Sequence, residues 1–157
     1  MSKKLLASMF AALIVGVLVA GCGGSDDGDS TTVTASSLSK PEFVTKVTVI
    51  CKTGKKKALA GLIAYAQKHE DASEAEQLKG ASESSLLPAY QTVTDEIQEL
   101  GAPAGDEAEV KAYLAAMQGE IDEGTDDPGA SLAEFEQLFK QSGDLATAYG
   151  IKECAFG

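Results

Sequence analysis

The chain has 157 residues, with 24 acidic against 13 basic side chains and a formal charge of −11; every basic residue is a lysine. A surface of that sign has no general attraction for phosphate backbones or an anionic bilayer, which excludes nucleic-acid binding and favours cationic partners. Cys51, Cys154 and the single histidine, His69, fall short of the four ligands of a closed zinc shell.

Lys3 and Lys4 precede an apolar run, Leu5 to Ala20, that ends in Leu18-Val19-Ala20-Gly21-Cys22. A cationic start, a short apolar core and a small-residue exit are the parts of a secretory signal. The run also falls short of the roughly 20 residues a spanning helix needs. Its end resembles the lipobox of bacterial lipoproteins, with Val19 where leucine is most usual and Leu18 one place earlier. The resemblance implies a signal peptide over residues 1–21, a diacylglyceryl group on the Cys22 thiol, and a mature domain lipid-anchored on the extracytoplasmic face of the cell membrane. Two acyl chains hold stably without a spanning segment, at about 0.8 kcal/mol per buried methylene. Loss of Lys3 and Lys4 leaves 11 lysines against 24 acids, a formal −13.

With Cys22 lipidated, Cys51 and Cys154 remain as an even pair in an oxidising compartment, which reads as one disulfide. The loop they close has a chain-entropy value of about 4.7 kcal/mol. Residues 22–38 carry the anchor and a Gly, Ser, Asp and Thr segment with little to bury, expected to be a flexible tether of roughly 20–24 Å r.m.s. reach. The domain proper is expected over residues 39–157.

Its first helix opens at Ser39-Lys40-Pro41-Glu42, a capping box with proline in the first turn. Phe43, Val47, Ile50, Cys51, Gly54, Ala58, Leu62 and Tyr65 then recur at steps of three and four, fading near His69–Ala72. A second helix carries Leu86, Leu87, Tyr90, Val93, Ile97 and Leu100; it starts at Ser84 or Ser85, or else is longer and kinks at Pro88. Gly101 to Gly105 is a stop. Asp106 with Glu109 repeats the capping box before a third helix bearing Val110, Tyr113, Leu114, Met117 and Ile121. Gly124 to Asp127 reads as a turn, and Pro128 begins a fourth helix with Leu132, Phe135, Leu138, Phe139, Leu145 and Tyr149 on its apolar face. Tyr149-Gly150-Ile151 has the form of a glycine C-cap followed by its hydrophobic contact. Four amphipathic helices with short connections predict an all-α, antiparallel up-down-up-down four-helix bundle whose C-terminal tail is stapled to the first helix. Ser39 to Phe43 with Cys51, Gly101 to Glu107, and Tyr149 to Cys154 together resemble a group of small secreted or lipid-anchored bacterial helical proteins. Those motifs are caps and cysteines, so the resemblance implies no catalytic residues.

His69 beside Glu70, Asp71, Glu74 and Glu76 is a candidate acid–base or metal group, but a cation at a helix C-terminus is ordinary capping. In the expected bundle Asp71 and Glu74 share an end with Asp122, Glu123, Asp126 and Asp127, where they suit a hard divalent cation or a basic partner. The calcium-loop pattern fails there: counted from Asp122, position 3 is Gly124 and position 12 is Ala133. Lys52, Lys55 and Lys56 share one helical face, and Tyr65, Tyr90, Tyr113 and Tyr149 fall one to a helix without reason to meet. No nucleophile motif, phosphate loop or cofactor signature stands out. The expectation is a noncatalytic binding or interaction module with no cofactor and a protein or small-molecule partner. Its rival is a small-ligand or divalent-cation binder accessory to a transporter.

Overall fold

The computed structural model describes residues 33–128, 134 and 137–155. The expected signal peptide, Cys22, most of the tether, and Leu132 and Phe135 of the fourth helix lie outside the described residues. None of the described helices is long and apolar enough to cross a membrane.

Helix α1 (Lys40–Lys68) begins where the capping residues place it. The Ser39 N–H donates to the Glu42 carboxylate at 3.0 Å, and the Ser39 hydroxyl donates to the same oxygen. These bonds hold the Glu42 carboxyl below its usual range. Phe43, Val47, Cys51, Gly54 and Ala58 form its buried stripe. At Gly54 the approach is close, since a Cβ there would stand 2.1 Å from Val93 Cγ2.

The polar stretch after α1 holds a helix that the apolar periodicity does not announce. Helix α2 (Glu74–Ala81) is capped by Ser73, whose hydroxyl accepts from the Glu76 N–H while Glu76 bonds back to the Ser73 N–H. It continues through a π turn (Ser82–Leu86) into α3 (Leu87–Leu100). Of the two expected starts for the second helix, the longer one is found. The π turn lies just ahead of Pro88, with the Leu87 N–H donating to Ser82 O, so the widened turn adjoins the residue that has no N–H to give the continuous segment.

Gly101 ends α3 at φ +71°. Beyond it β2 (Ala102–Pro103) pairs in parallel with β1 (Ala35–Ser36), and the Ala102 N–H donates to Thr34 O at 3.0 Å. A Cβ on Gly101 would also meet Thr34 O at 2.7 Å, so both the turn and the strand contact require glycine. The segment expected as free tether is therefore bonded to the domain over Thr34–Ser36, and Val33 and Leu38 pack against the core.

Helix α4 (Glu107–Asp126) starts at Asp106, but the expected capping box is not made. The Asp106 carboxylate instead accepts from the Tyr149 hydroxyl at 2.6 Å and faces Lys40 Nζ at 3.3 Å. These partners, the Tyr149 bond foremost, hold the Asp106 carboxyl low. The helix also runs through the expected turn. Gly124 is buried within it because Leu87 and Leu138 pack where a side chain would stand. Helix α5 (Lys140–Tyr149) ends as expected, with Gly150 at φ +104° and the Ile151 N–H donating to Ala146 O at 2.8 Å.

Buried Ile151 leads into a 3-10 turn (Lys152–Cys154) that folds back to α1 and closes the Cys51–Cys154 disulfide at a Cα–Cα distance of 5.2 Å. Lys55 Nζ donates to Ala155 O at 2.6 Å beside it. With α2, the π turn and α3 continuous, the described residues form four helical segments in which α3 packs on both α1 and α4, and α4 on α5. The shared core holds Phe43, Val47, Leu86, Val93, Ile97, Leu114, Met117, Phe139 and Ile151.

Candidate functional site

Glu120 is the one acidic side chain among the buried polar groups of the described residues, at 6% exposure. It stands in the middle of α4 and points at the start of α5. Phe139, preceding α5, has no side-chain oxygen to cap that helix. The orphan N–H of Ser142 donates instead to Glu120 Oε1 at 2.9 Å, so a carboxylate from the neighbouring helix performs the cap and faces the positive end of the helix dipole. The other oxygen, Oε2, is closed to solvent and has no hydrogen-bond partner among the described residues. Burial pushes the Glu120 carboxyl above its usual range and nearby Glu123 adds to the rise, against hydrogen bonds from Ser142 and Gln141 that lower it.

Glu120 lines a groove of about 950 Å³ between α4 and α5. Helical continuation decides which acids reach it. Glu120, Glu123, Gly124 and Asp127 lie three, four and seven positions apart, hence on one face, and all line the groove. Leu138 and Leu145 supply apolar wall, and Lys140 at the rim is paired with Asp144.

Asp122 and Asp126 are carried to the other side of α4, where Asp122 accepts from Gln118 at 2.9 Å. The convergence of Asp122, Glu123, Asp126 and Asp127 with Asp71 and Glu74 assumed a turn at Gly124, and a helix there disperses them. Among the described residues no group of three or more His, Cys, Asp or Glu is placed to hold a metal ion. A single buried carboxylate beside apolar wall suits instead an alkylammonium or guanidinium head, which needs an acceptor and one compensating charge rather than a coordination shell.

No protein-family model matches the chain, and no curated protein or solved structure is detectably similar to it.

Among the remaining candidates, His69, Lys52 and the tyrosines Tyr90, Tyr113 and Tyr149 have local partners. His69 ends α1 with its ring stacked on Tyr65, centroids 4.2 Å apart. Lys52 lies 3.7 Å from Glu153. The tyrosines do not share a pocket. Tyr90 meets Phe139 edge-on, Tyr113 donates to Met117 Sδ at 3.8 Å, and Tyr149 packs on Phe43. Burial raises the Tyr90 phenol to about 12. Glu120 escapes sequence reasoning because its neighbours in the chain do not mark it; only an acid at a position in register with the buried Val110, Tyr113 and Met117 stripe could have drawn notice.

Proposed function

We propose that this protein is a lipid-anchored extracytoplasmic lipoprotein, held by Cys22, that acts as a noncatalytic binding module for an organic cation in the α4–α5 groove. The anchored address is supported by the lipobox-like residues ending at Cys22, and the disulfide suits an oxidising compartment. The binding reading is carried by one observation: a nine-tenths buried carboxylate, whose Oε2 has no hydrogen-bond partner among the described residues, lines a groove together with Glu123 and Asp127 of the same helix face. We read the helices as an up-down-up-down bundle, supported by neighbours in sequence that pack on one another.

Thermal unfolding of the full chain with 1,5-diaminopentane, with calcium and with neither tests the groove. A ligand at a hundred times its Kd adds about 2.7 kcal/mol, a shift of several degrees in a domain of this size. The expected result is a rise in Tm with the diamine that Glu120→Gln abolishes. No rise, or an equal rise in Glu120→Gln, overturns the groove as the site, and a rise with calcium alone returns it to a metal. Mass spectrometry of the native N-terminus tests the anchor separately, with acyl mass on Cys22 expected.

A further inference from the structure

The longest helix has a second face that the core does not use. From Phe43 to His69 there is no acidic residue, yet six of the chain's 13 lysines lie in that stretch, in a protein otherwise dominated by acids. At about 100° per residue, Val49, Lys52, Lys56, Ala60 and Ile63 fall on the side opposite the buried stripe of Phe43, Val47, Cys51, Gly54 and Ala58, with Lys46 at its flank. Lys46, Lys52, Lys56, Lys57 and Lys68 are all exposed. Val49, Leu59 and Ile63, at 60%, 59% and 46% exposure, are the large apolar side chains left open among the described residues, and all three are on α1. Val49 and Ile63 stand about 21 Å apart along the helix axis. Lysines flanking scattered apolar side chains on an acid-free helix face form the pattern of a helix that lies on a membrane surface.

We infer that the outer face of α1 rests on anionic lipid headgroups, so that the anchored domain takes one orientation, α1 down. The inference relies on the Cys22 anchor proposed above to bring the domain to the bilayer. Eleven residue steps separate Cys22 from Val33, at most about 40 Å when fully extended, so a bilayer-held Cys22 keeps the domain within that distance. Screening confines the attraction to roughly 8–10 Å, which makes α1 act only once the anchor has delivered it. The chain's net negative charge repels every other approach, and each lysine near an anionic surface favours the bound state about fivefold. Charge and apolar side chains thus select a face rather than supply the affinity. Since α3 packs between α1 and α4, the α4–α5 groove is not on the contacting helix.

Amine-reactive footprinting read by mass spectrometry tests the orientation on the unaltered chain. The protein is placed in protein-free vesicles of phosphatidylcholine alone or with phosphatidylglycerol, and in native membranes. If Cys22 carries no acyl group, its thiol is coupled to a maleimide lipid, so a failed anchor reading leaves this one measurable. With phosphatidylglycerol, labelling of Lys52 and Lys56 is expected to fall at least about threefold while Lys111 and Lys140 are unchanged, with the protection lost in high salt. Uniform labelling of all lysines in both lipids overturns the inference. Protection of α1 in native membranes but not in protein-free vesicles also overturns it, and assigns the face to an acidic protein.

Discussion

Between α1 and α3 the backbones close until Gly54 leaves no space for a Cβ beside Val93, whereas α4 and α5 stand apart around a groove of about 950 Å³. The first contact is apolar, and α1 is also tied to the C-terminal tail by the Cys51–Cys154 bond. Across the second, one buried carboxylate caps the opposing helix and has an oxygen without a partner among the described residues. Close packing with a covalent closure resists opening, while a polar seam with an unmet acceptor gains from an added donor. Stability is therefore concentrated on the α1 side, and the binding capacity we propose falls on the α5 side.

The largest expected effect removes the covalent closure. Cys51→Ser with Cys154→Ser should lower stability by about 2–5 kcal/mol in urea unfolding, and reductant should then have no further effect. Unchanged stability would erase the distinction between the two sides. Next, Gly54→Ala should cost about 1–3 kcal/mol, because the overlap with Val93 outweighs alanine's better helix propensity; a stabilised variant would show that the contact has slack.

On the other side, Glu120→Ala should cost about 1 kcal/mol through loss of the α5 cap. Glu120→Gln keeps an acceptor and cannot ionise. Because the Glu120 carboxyl is raised in the folded state, chiefly by burial, the wild type loses stability as pH rises from the usual carboxylate range through that raised value. Glu120→Gln should thus gain on the wild type as pH increases, and a gap independent of pH would mean that Glu120 is not desolvated. The smallest effect concerns Tyr149→Phe. Its hydroxyl is the main cause of the low Asp106 carboxyl, so its contribution is present above the usual carboxylate range and lost as pH falls through the lowered value. Melting curves of Tyr149→Phe should lie below the wild type at neutral pH and join it in acid.

What could be read from the residues alone followed how local each cause is. The Ser39–Glu42 start, the Gly150 cap and the buried stripes of α1, α3 and α4 depend on neighbours within a turn or two, and all are found. The Ser73–Glu76 cap was equally local, but no apolar run follows it to draw attention to α2. Gly124 reads as a turn because glycine's freedom suggests one; its actual cause is Leu87, 37 positions away, which needs the space. Thr34–Ser36, Asp106 and Glu120 are likewise set by distant partners: Ala102, Tyr149 and Ser142. The expected acidic cluster is dispersed for the same reason, since extending α4 by a turn changes which acids share a face.

The sulfur bridge joins positions 51 and 154, enclosing most of the folded chain. A single proteolytic cut anywhere inside that span leaves both fragments covalently attached, and the C-terminal piece stays with whatever holds the N-terminal one. Damage in an exposed turn would release nothing until a reductant followed the protease, and the nick would be visible only on a reducing gel.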